Sequence, residues 1–212
     1  MKVMETERLV LRWQSPDDAA FMRELVNDPD WIANIGDRGV KTDDDARNYI
    51  AQVAQASYDK YGYGFYIVEL KVGGVDDESG TGGKSEEGVV GNGAVSLHGA
   101  DMESVAINRQ VADGRRHVPI GICGLAKRDF MAHSDIGYAF LPAYRGQGYA
   151  FEAAKGVLAY ARSVLGLSRI AAIVSEGNKA SEQLLEKLGL KEEGLIRYGE
   201  TDEMMRLYGM AL

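Results

Sequence analysis

The stretch LPAYRGQGYAFEAAKGVLAYARSVLG (141–166) decides how this chain is read. Pro142 ends the preceding run DIGYAF (135–140), a strand by its residue types. Phe151, Ala154, Leu158, Ala161 and Leu165 then recur at three- and four-residue steps, the stripe of a long amphipathic helix. Between strand and helix lies Tyr144-Arg145-Gly146-Gln147-Gly148-Tyr149-Ala150. A helix start carries unpaired main-chain N–H groups and about half a positive charge, and the small residues Gly146, Gly148 and Ala150 let an anion approach the backbone. A diphosphate is the natural guest of such a turn. The plain alternative is that its glycines only make the turn tight.

Other glycine patterns fail their tests. The dinucleotide fingerprint puts Phe151 where its third glycine belongs after Gly146 and Gly148, and Ser96 there after Gly91 and Gly93. Gly83-Lys84-Ser85 mimics the end of a phosphate loop, but Glu78 stands where the first glycine belongs and no apolar helix follows, so it reads as linker.

Outward from this centre, IGICGLA (120–126) is a buried strand that follows Pro119, and RIAAIV (169–174) is another. Asn178 caps a helix carrying Ala180, Leu184 and Leu188, closed by Gly189, and two strands, LIR (195–197) and RLYGMA (206–211), finish the chain. On the N-terminal side RLVLRW (8–13) alternates as a strand. Ser15, Pro16 and Asp18 then start a helix with Phe21, Met22, Leu25 and Val26 as its stripe, and Asn27-Asp28-Pro29 ends it. Thr42 caps a second helix with Ala46, Tyr49, Ile50 and Val53 on one face, and Gly62 and Gly64 break it before the strand FYIVEL (65–70).

Between 71 and 118 the texture changes, with 10 of the chain's 26 glycines and eight acidic residues. The first half of this excursion, VGGVDDESGTGGKSEEG (72–88), cannot bury enough apolar surface to offset ordering entropy and is expected to be mobile; in the second half, 94–97 and 105–111 are candidates for an extra hairpin. With 212 residues, 45% of them hydrophobic, the expectation is a single domain over 1–212 with an insertion at about 71–118. A core of this size buries about 70% of the unfolded chain's surface, so no disulfide or structural metal is required. Cys123 is the lone cysteine, and His98, His117 and His133 have no metal-ligand spacing, so no metal is expected. A net charge of −8 argues against nucleic acid as a partner. The opening MKVMETERLVLR (1–12) is charged throughout, and no stretch reaches the ~20 apolar residues of a span, so no membrane partner and a cytoplasmic location are expected. The oligomeric state is left open.

The signature Arg145, Gly148, Ala150, set in DIGYAFLPAYRGQGYAFEA (135–153) and followed by Asn178, Ser181 and LLEKLGL (184–190), resembles the GNAT acyltransferases. ETERLVLR (5–12) is similar to the opening of the branch containing the ribosomal-protein-alanine N-acetyltransferases. The resemblance covers about 5–70 and 119–212. It implies an α/β fold with a mixed, mostly antiparallel seven-stranded sheet, flanked by about four helices and splayed where acetyl-CoA lies. It implies an acetyl-CoA-dependent N-acetyltransferase with a primary amine as acceptor, either a protein N-terminus or a small molecule. A non-catalytic acyl-CoA-binding sensor or scaffold is the alternative.

Carried over residue by residue, the family's pyrophosphate cradle falls on Arg145, Gly146, Gln147, Gly148, Tyr149 and Ala150. The strand that pairs with the pantetheine arm ends at Phe140 and Leu141, and the asparagine that touches the arm is Asn178, which as plain N-cap needs no ligand at all. An alkylammonium with pKa near 10 must lose a proton before it attacks, and Asp135, at the head of the central strand, is the leading base; orienting the acceptor is its other role. Some relatives protonate the departing thiolate with a tyrosine seven residues after the asparagine. That position is Leu185 here, which leaves Ser181 as a substitute acid. Trp13, Trp31, Tyr49 and Tyr66 read as core or pocket wall. Of these, Trp31 is the candidate acceptor-binding residue, because the loop between the first two helices borders the acceptor site in the family. Cys123 reads as core, and His133 has no visible partner, the alternative being that it tunes Asp135 from the same strand face.

Overall fold

A computed structural model describes residues 1–72 and 117–212. Its strands are β1 (Lys2–Glu5), β2 (Leu9–Arg12), β3 (Phe65–Lys71), β4 (His117–Ala126), β5 (Asp135–Phe140), β6 (Arg169–Ser175), β7 (Lys191–Arg197) and β8 (Met204–Ala211). They form one sheet in the order β1-β2-β3-β4-β5-β6-β8-β7, antiparallel at every junction except β5 with β6. This is the mixed, mostly antiparallel sheet expected, with one strand more. The short β1 folds back on β2 and extends that edge.

The helices are α1 (Ala19–Val26), α2 (Pro29–Ile35), α3 (Asp43–Tyr49), α4 (Ala56–Tyr61), α5 (Tyr149–Ser163) and α6 (Lys179–Leu188); a π-type stretch, Ile50–Gln55, joins α3 to α4. The start signals act as expected where side chains supply them: Thr42 accepts from Asp45 N–H, and Asp45 accepts from Thr42 N–H at 2.8 Å. One expected loop is a helix. Asp28 and Pro29, read as a stop after α1, also start α2, because the Asp28 carboxylate accepts from Asp30 and Trp31 N–H and Pro29 occupies the first helical position.

The larger core cluster joins Ala153, Ala154, Val157, Leu158 and Ala161 of α5 and Leu185 of α6 to strand residues including Ile120, Cys123, Ile136 and Phe140. The smaller joins Met22, Leu25, Trp31, Ala46 and Ile50 to Ile67 and Ile122. Cys123 is fully buried, and burial pushes its thiol up, so it is core and not a nucleophile.

β3 ends and β4 begins opposite each other, with Lys71 paired to His117, so the chain leaves and re-enters the sheet at neighbouring positions. β4 therefore starts before Pro119, which sits beside a register shift near Glu69. The stretch expected to be mobile (72–88), the candidate hairpin at 94–97 and 105–111, and the Gly83 and Gly91/Gly93 motifs lie outside the described residues, apart from Val72. No helix among the described residues is long and apolar enough to cross a membrane.

Arg12 ties the first turn after β2 to the sheet. Its guanidinium donates to Asp18 at 2.6 and 2.8 Å and to Glu69 at 2.8 Å, and both carboxylates are buried. Removing the arginine strands two buried charges. We expect Arg12→Ala to lower the free energy of unfolding by about 3–5 kcal/mol, read from urea denaturation.

Candidate active site

β5 and β6 are the one parallel pair in the sheet, and they are zipped at a single position, Asp135 opposite Ala171, with Ala171 N–H donating to Ser134 O at 3.0 Å. Beyond it β5 runs on to Phe140 and β6 to Ser175 without another pair, so the strands enclose a wedge. At the far end of β5, Pro142 lacks an N–H and the chain turns through Pro142–Tyr144 toward α5 instead of following β6.

The turn into α5 stands at the mouth of the wedge. Gly146 and Gly148 have φ of +76° and +83°, a region that disfavours residues with a Cβ. No side chain caps α5, and its first intrahelical bond is Glu152 N–H to Gly148 O at 3.0 Å. A Cβ placed on Gly146 would meet nothing within 4 Å, which leaves that side of the turn open to a ligand.

The back of the turn is held by the N-terminal segment. The Glu152 carboxylate accepts from Thr6 Oγ1 at 2.6 Å, Arg8 N at 2.8 Å and Arg8 Nε at 2.6 Å, while Arg8 Nη1 donates to Gln147 O at 3.1 Å. Against the upward push of burial, these bonds hold the Glu152 carboxyl below its usual range. Thr6 and Arg8, at the entry to the strand read from RLVLRW, are the buttress of the α5 start. No spacing rule links 6–8 to 152, so only the fold reveals the pairing.

Arg145 takes a different part from the main chain around it. Nε donates to Phe140 O at 2.8 Å, and the two terminal nitrogens bind Asp28 and Asp30. The side chain is thus a strut from the turn to α2, and it engages the β5 edge at Phe140. Leu141 N–H donates to Ile120 O at 3.0 Å, which uses up its donor on the β4 side. By alternation, the main-chain groups of Tyr138 and Phe140 face the wedge and those of Ala139 and Leu141 face β4. Of the two residues expected beside the pantetheine arm, Leu141 therefore has no donor to give it.

Side chains alternate likewise. Ile136, Tyr138 and Phe140 point to the α5/α6 face, whereas Ala139 packs with the smaller core and Asp135 shares its face. Asp135 is buried, and Arg128 Nε donates to its Oδ1 at 3.0 Å while Arg128 Nη1 reaches the Tyr198 hydroxyl at 3.1 Å. Burial pushes the Asp135 carboxyl up and the guanidinium pulls it back, with a net rise. His133 does not tune it. The strand begins at Asp135, so the alternation does not extend back to His133, which is exposed.

On the other face, Asn178 Oδ1 accepts from Ser181 N–H at 3.1 Å, so the asparagine is an N-cap; its Nδ2 makes no hydrogen bond among the described residues. The Tyr138 hydroxyl donates to Ser181 O at 3.3 Å, and burial pushes its phenol up, keeping it protonated. Leu185 is 1% exposed and apolar, so it has no proton to give. Tyr138 was legible only as a strand residue; its facing toward α6 required the register of β5.

Trp31 is the one buried side chain of α2, which is held at one end by Arg145 and at the other by the Ser175 hydroxyl donating to Asn34 O at 2.9 Å. α2 thus lies across the wedge from the β5 end to the β6 end.

Comparison with known proteins follows the same outline. The family described as acetyltransferase (GNAT) domain matches residues 8–191. The uncharacterised N-acetyltransferase YoaA of Bacillus subtilis is 42% identical over 78 residues, which span 37% of this chain and 43% of that protein, so the match covers less than half the relative's length. Two solved structures share the fold. One is the ribosomal-protein-S5-alanine acetyltransferase of Vibrio fischeri, at TM-score 0.63 and 16% identity, covering 100% of this chain and 96% of that one. The other is the spermidine N-acetyltransferase of Vibrio cholerae, in complex with CoA and spermine, at TM-score 0.63 and 15% identity, covering 97% and 96%.

The raised Asp135 carboxyl fixes the sign of a pH effect. A carboxyl whose folded value lies above its unfolded one binds a proton more readily when folded, so its contribution is fully present below the unfolded value and is lost as pH rises through the folded one. Arg128 limits that loss. Arg128→Ala should cost about 2 kcal/mol at pH 7, less than a fully buried pair because Arg128 is partly exposed, and the cost should shrink as the pH is lowered through the raised value. Urea denaturation across the acid range reads it.

Proposed function

Since the chain belongs to the GNAT acetyltransferases, we propose that it is an acetyl-CoA-dependent N-acetyltransferase, passing an acetyl group to a primary amine by direct attack in a ternary complex. The observation that carries this reading is the wedge between β5 and β6, open in front of the uncapped start of α5. A peptide-like arm lying along β5 finds main-chain groups of Tyr138 and Phe140 in place of the absent neighbouring strand, as in strand addition. A pyrophosphate at its end meets the N–H groups of 146–150 and the positive end of the helix dipole. Asn178 Nδ2 is a further donor for the arm. Arg145 supports this loop from the α2 side in our reading and does not itself neutralise the phosphates. Residues 1–212 act as one transferase domain with the 71–118 segment inserted between β3 and β4.

The co-substrate supplies an activated carbonyl carbon. The acceptor arrives as an ammonium and gives its proton to Asp135, directly or through water, on the α1–α4 side of the sheet. The new C–N bond forms as the C–S bond breaks; the thiolate takes up a proton on the α5/α6 side from the Tyr138 hydroxyl, and the second proton that the nitrogen sheds on becoming an amide returns through water to Tyr138. A base above the ordinary carboxylate range is a better proton acceptor than a free aspartate, which suits the rise that burial imposes on Asp135. The second reading, a CoA-binding module without transfer, draws on Leu185, an apolar residue where some relatives have their acid.

Two variants separate these readings. Asp135→Asn is expected to lower kcat by about 100-fold with little change in the KM for acetyl-CoA, and to remove the acid limb of the pH profile, which in the parent falls as pH drops through the raised carboxyl value. Thiol release measured over a panel of amines checks it; binding of acetyl-CoA with no release from any amine would favour the sensor. Gly148→Glu brings a negative charge to the α5 start and should weaken acetyl-CoA binding at least 100-fold in calorimetry. Gly148→Ala, which carries only the cost of a Cβ at φ +83°, about 1 kcal/mol, separates charge from strain.

A further inference from the structure

Several polar groups at the head of β5 keep hydrogen-bonding capacity that the described residues leave unused. Arg128 gives Nε to Asp135 Oδ1 and Nη1 to the Tyr198 hydroxyl, which leaves Nη2 without a partner among the described residues. The Arg128 side chain is 26% exposed, and Nη2 is open to solvent. The Tyr198 hydroxyl accepts from Arg128 and finds no acceptor for its own proton among the described residues. The ring of Tyr49 packs against the smaller core, yet its hydroxyl makes no hydrogen bond among them. Burial pushes the Tyr49 phenol up, Arg38 and Arg128 pull it back and Tyr198 adds to the rise, so these side chains share one neighbourhood.

The unused groups are donors, and the charge beside them is positive. Arg38 is exposed, bonds Ile35 O at 3.1 Å and makes no ion pair among the described residues, while the one ion pair of Arg128 among them is with Asp135. Hydroxyl and guanidinium donors set next to an extra cation suit an oxyanion. Asp135 itself suits the acceptor's ammonium. A molecule that satisfies both carries its ammonium on the carbon next to a carboxylate, which is the chemistry of a free α-amino acid. A peptide N-terminus or an amino-acid amide brings only a neutral oxygen to Arg128, and a polyamine brings a second cation toward Arg38 and Arg128.

We infer that the acceptor is a free α-amino acid, whose ammonium faces Asp135 and whose carboxylate is held by Arg128 Nη2 and the Tyr198 and Tyr49 hydroxyls, with Arg38 adding attraction from the rim. The inference rests on the transferase reading above and deepens it by naming the acceptor's class. Arg128 stays paired with Asp135 throughout, so the guanidinium that steadies the base also grips the anion and fixes the distance between the two charges.

In turnover with acetyl-CoA, each common L-amino acid is compared with its own amide, alongside triglycine amide and spermidine. At least one free amino acid should exceed its amide about tenfold in kcat/KM, the size of one hydrogen bond to a charged group, although the amide's ammonium is the easier to deprotonate. Tyr198→Phe should raise the KM for that amino acid more than the KM for its amide. Arg128→Lys keeps a cation beside Asp135 but lacks the planar fork, and should bring acid and amide to parity. Amides, triglycine amide or spermidine turned over as well as every free amino acid would overturn the proposal, as would a preference for the acid that survives both variants. Product from amides or polyamines alone leaves the transferase reading standing while the amino-acid site falls. Calorimetric binding of a free amino acid to the CoA complex, weakened by Tyr198→Phe, with no product from any amine does the reverse; neither binding nor product defeats both.

Discussion

One missing set of hydrogen bonds organises this molecule. Every other junction in the sheet is an antiparallel ladder, whereas β5 and β6 run parallel and stay paired only at Asp135 and Ala171. A strand edge inside a protein leaves N–H and C=O groups that must find partners, and such groups are costly when buried alone. Here the open edge of β5 is engaged by Arg145 at Phe140 and otherwise offered to whatever enters the wedge. The uncapped α5 start at its mouth has the same character on a helix.

Arginines hold the parts of the site in register. Arg8 joins the N-terminal segment to Glu152 and Gln147 at the α5 start; Arg145 joins the turn before α5 to α2; Arg128 joins Asp135 to Tyr198 beyond β7. A guanidinium has several donors in a fixed plane, so one side chain can tie two or three elements together where a lysine would make a single point contact. The consequence is that the turn before α5 and helix α2 share a side chain, and that the buried carboxylate of Asp135 does not stand alone in a poor dielectric.

Much of the local structure was legible because local rules carry it. The α5 stripe, the Thr42 capping box, the Asn178 cap and the Gly189 stop follow from spacing and cap chemistry within a few residues. The misses have physical causes as well. A loop is expected between the first two helices, and α2 stands there because Asp28 and Pro29, which do follow the end of α1, are also a capping carboxylate and a first-turn proline. His133 was set beside Asp135 on a strand that begins only at Asp135. Leu141 was grouped with Phe140 although adjacent residues of a strand turn their main-chain groups to opposite sides.

By itself the sequence determined most of the strands and helices, though not β1 or α2, and also that a small-residue turn opens the longest helix and that an acidic residue heads the central strand, since all of these depend on near neighbours along the chain. Only the tertiary structure decided what those residues meet. That Glu152 is gripped by Thr6 and Arg8, that Arg145 reaches α2, that Asp135 is paired with Arg128, and that the Trp31 indole is buried without an acceptor are contacts between segments distant in sequence. Their partners follow from sheet order and register, which no periodicity within one segment encodes.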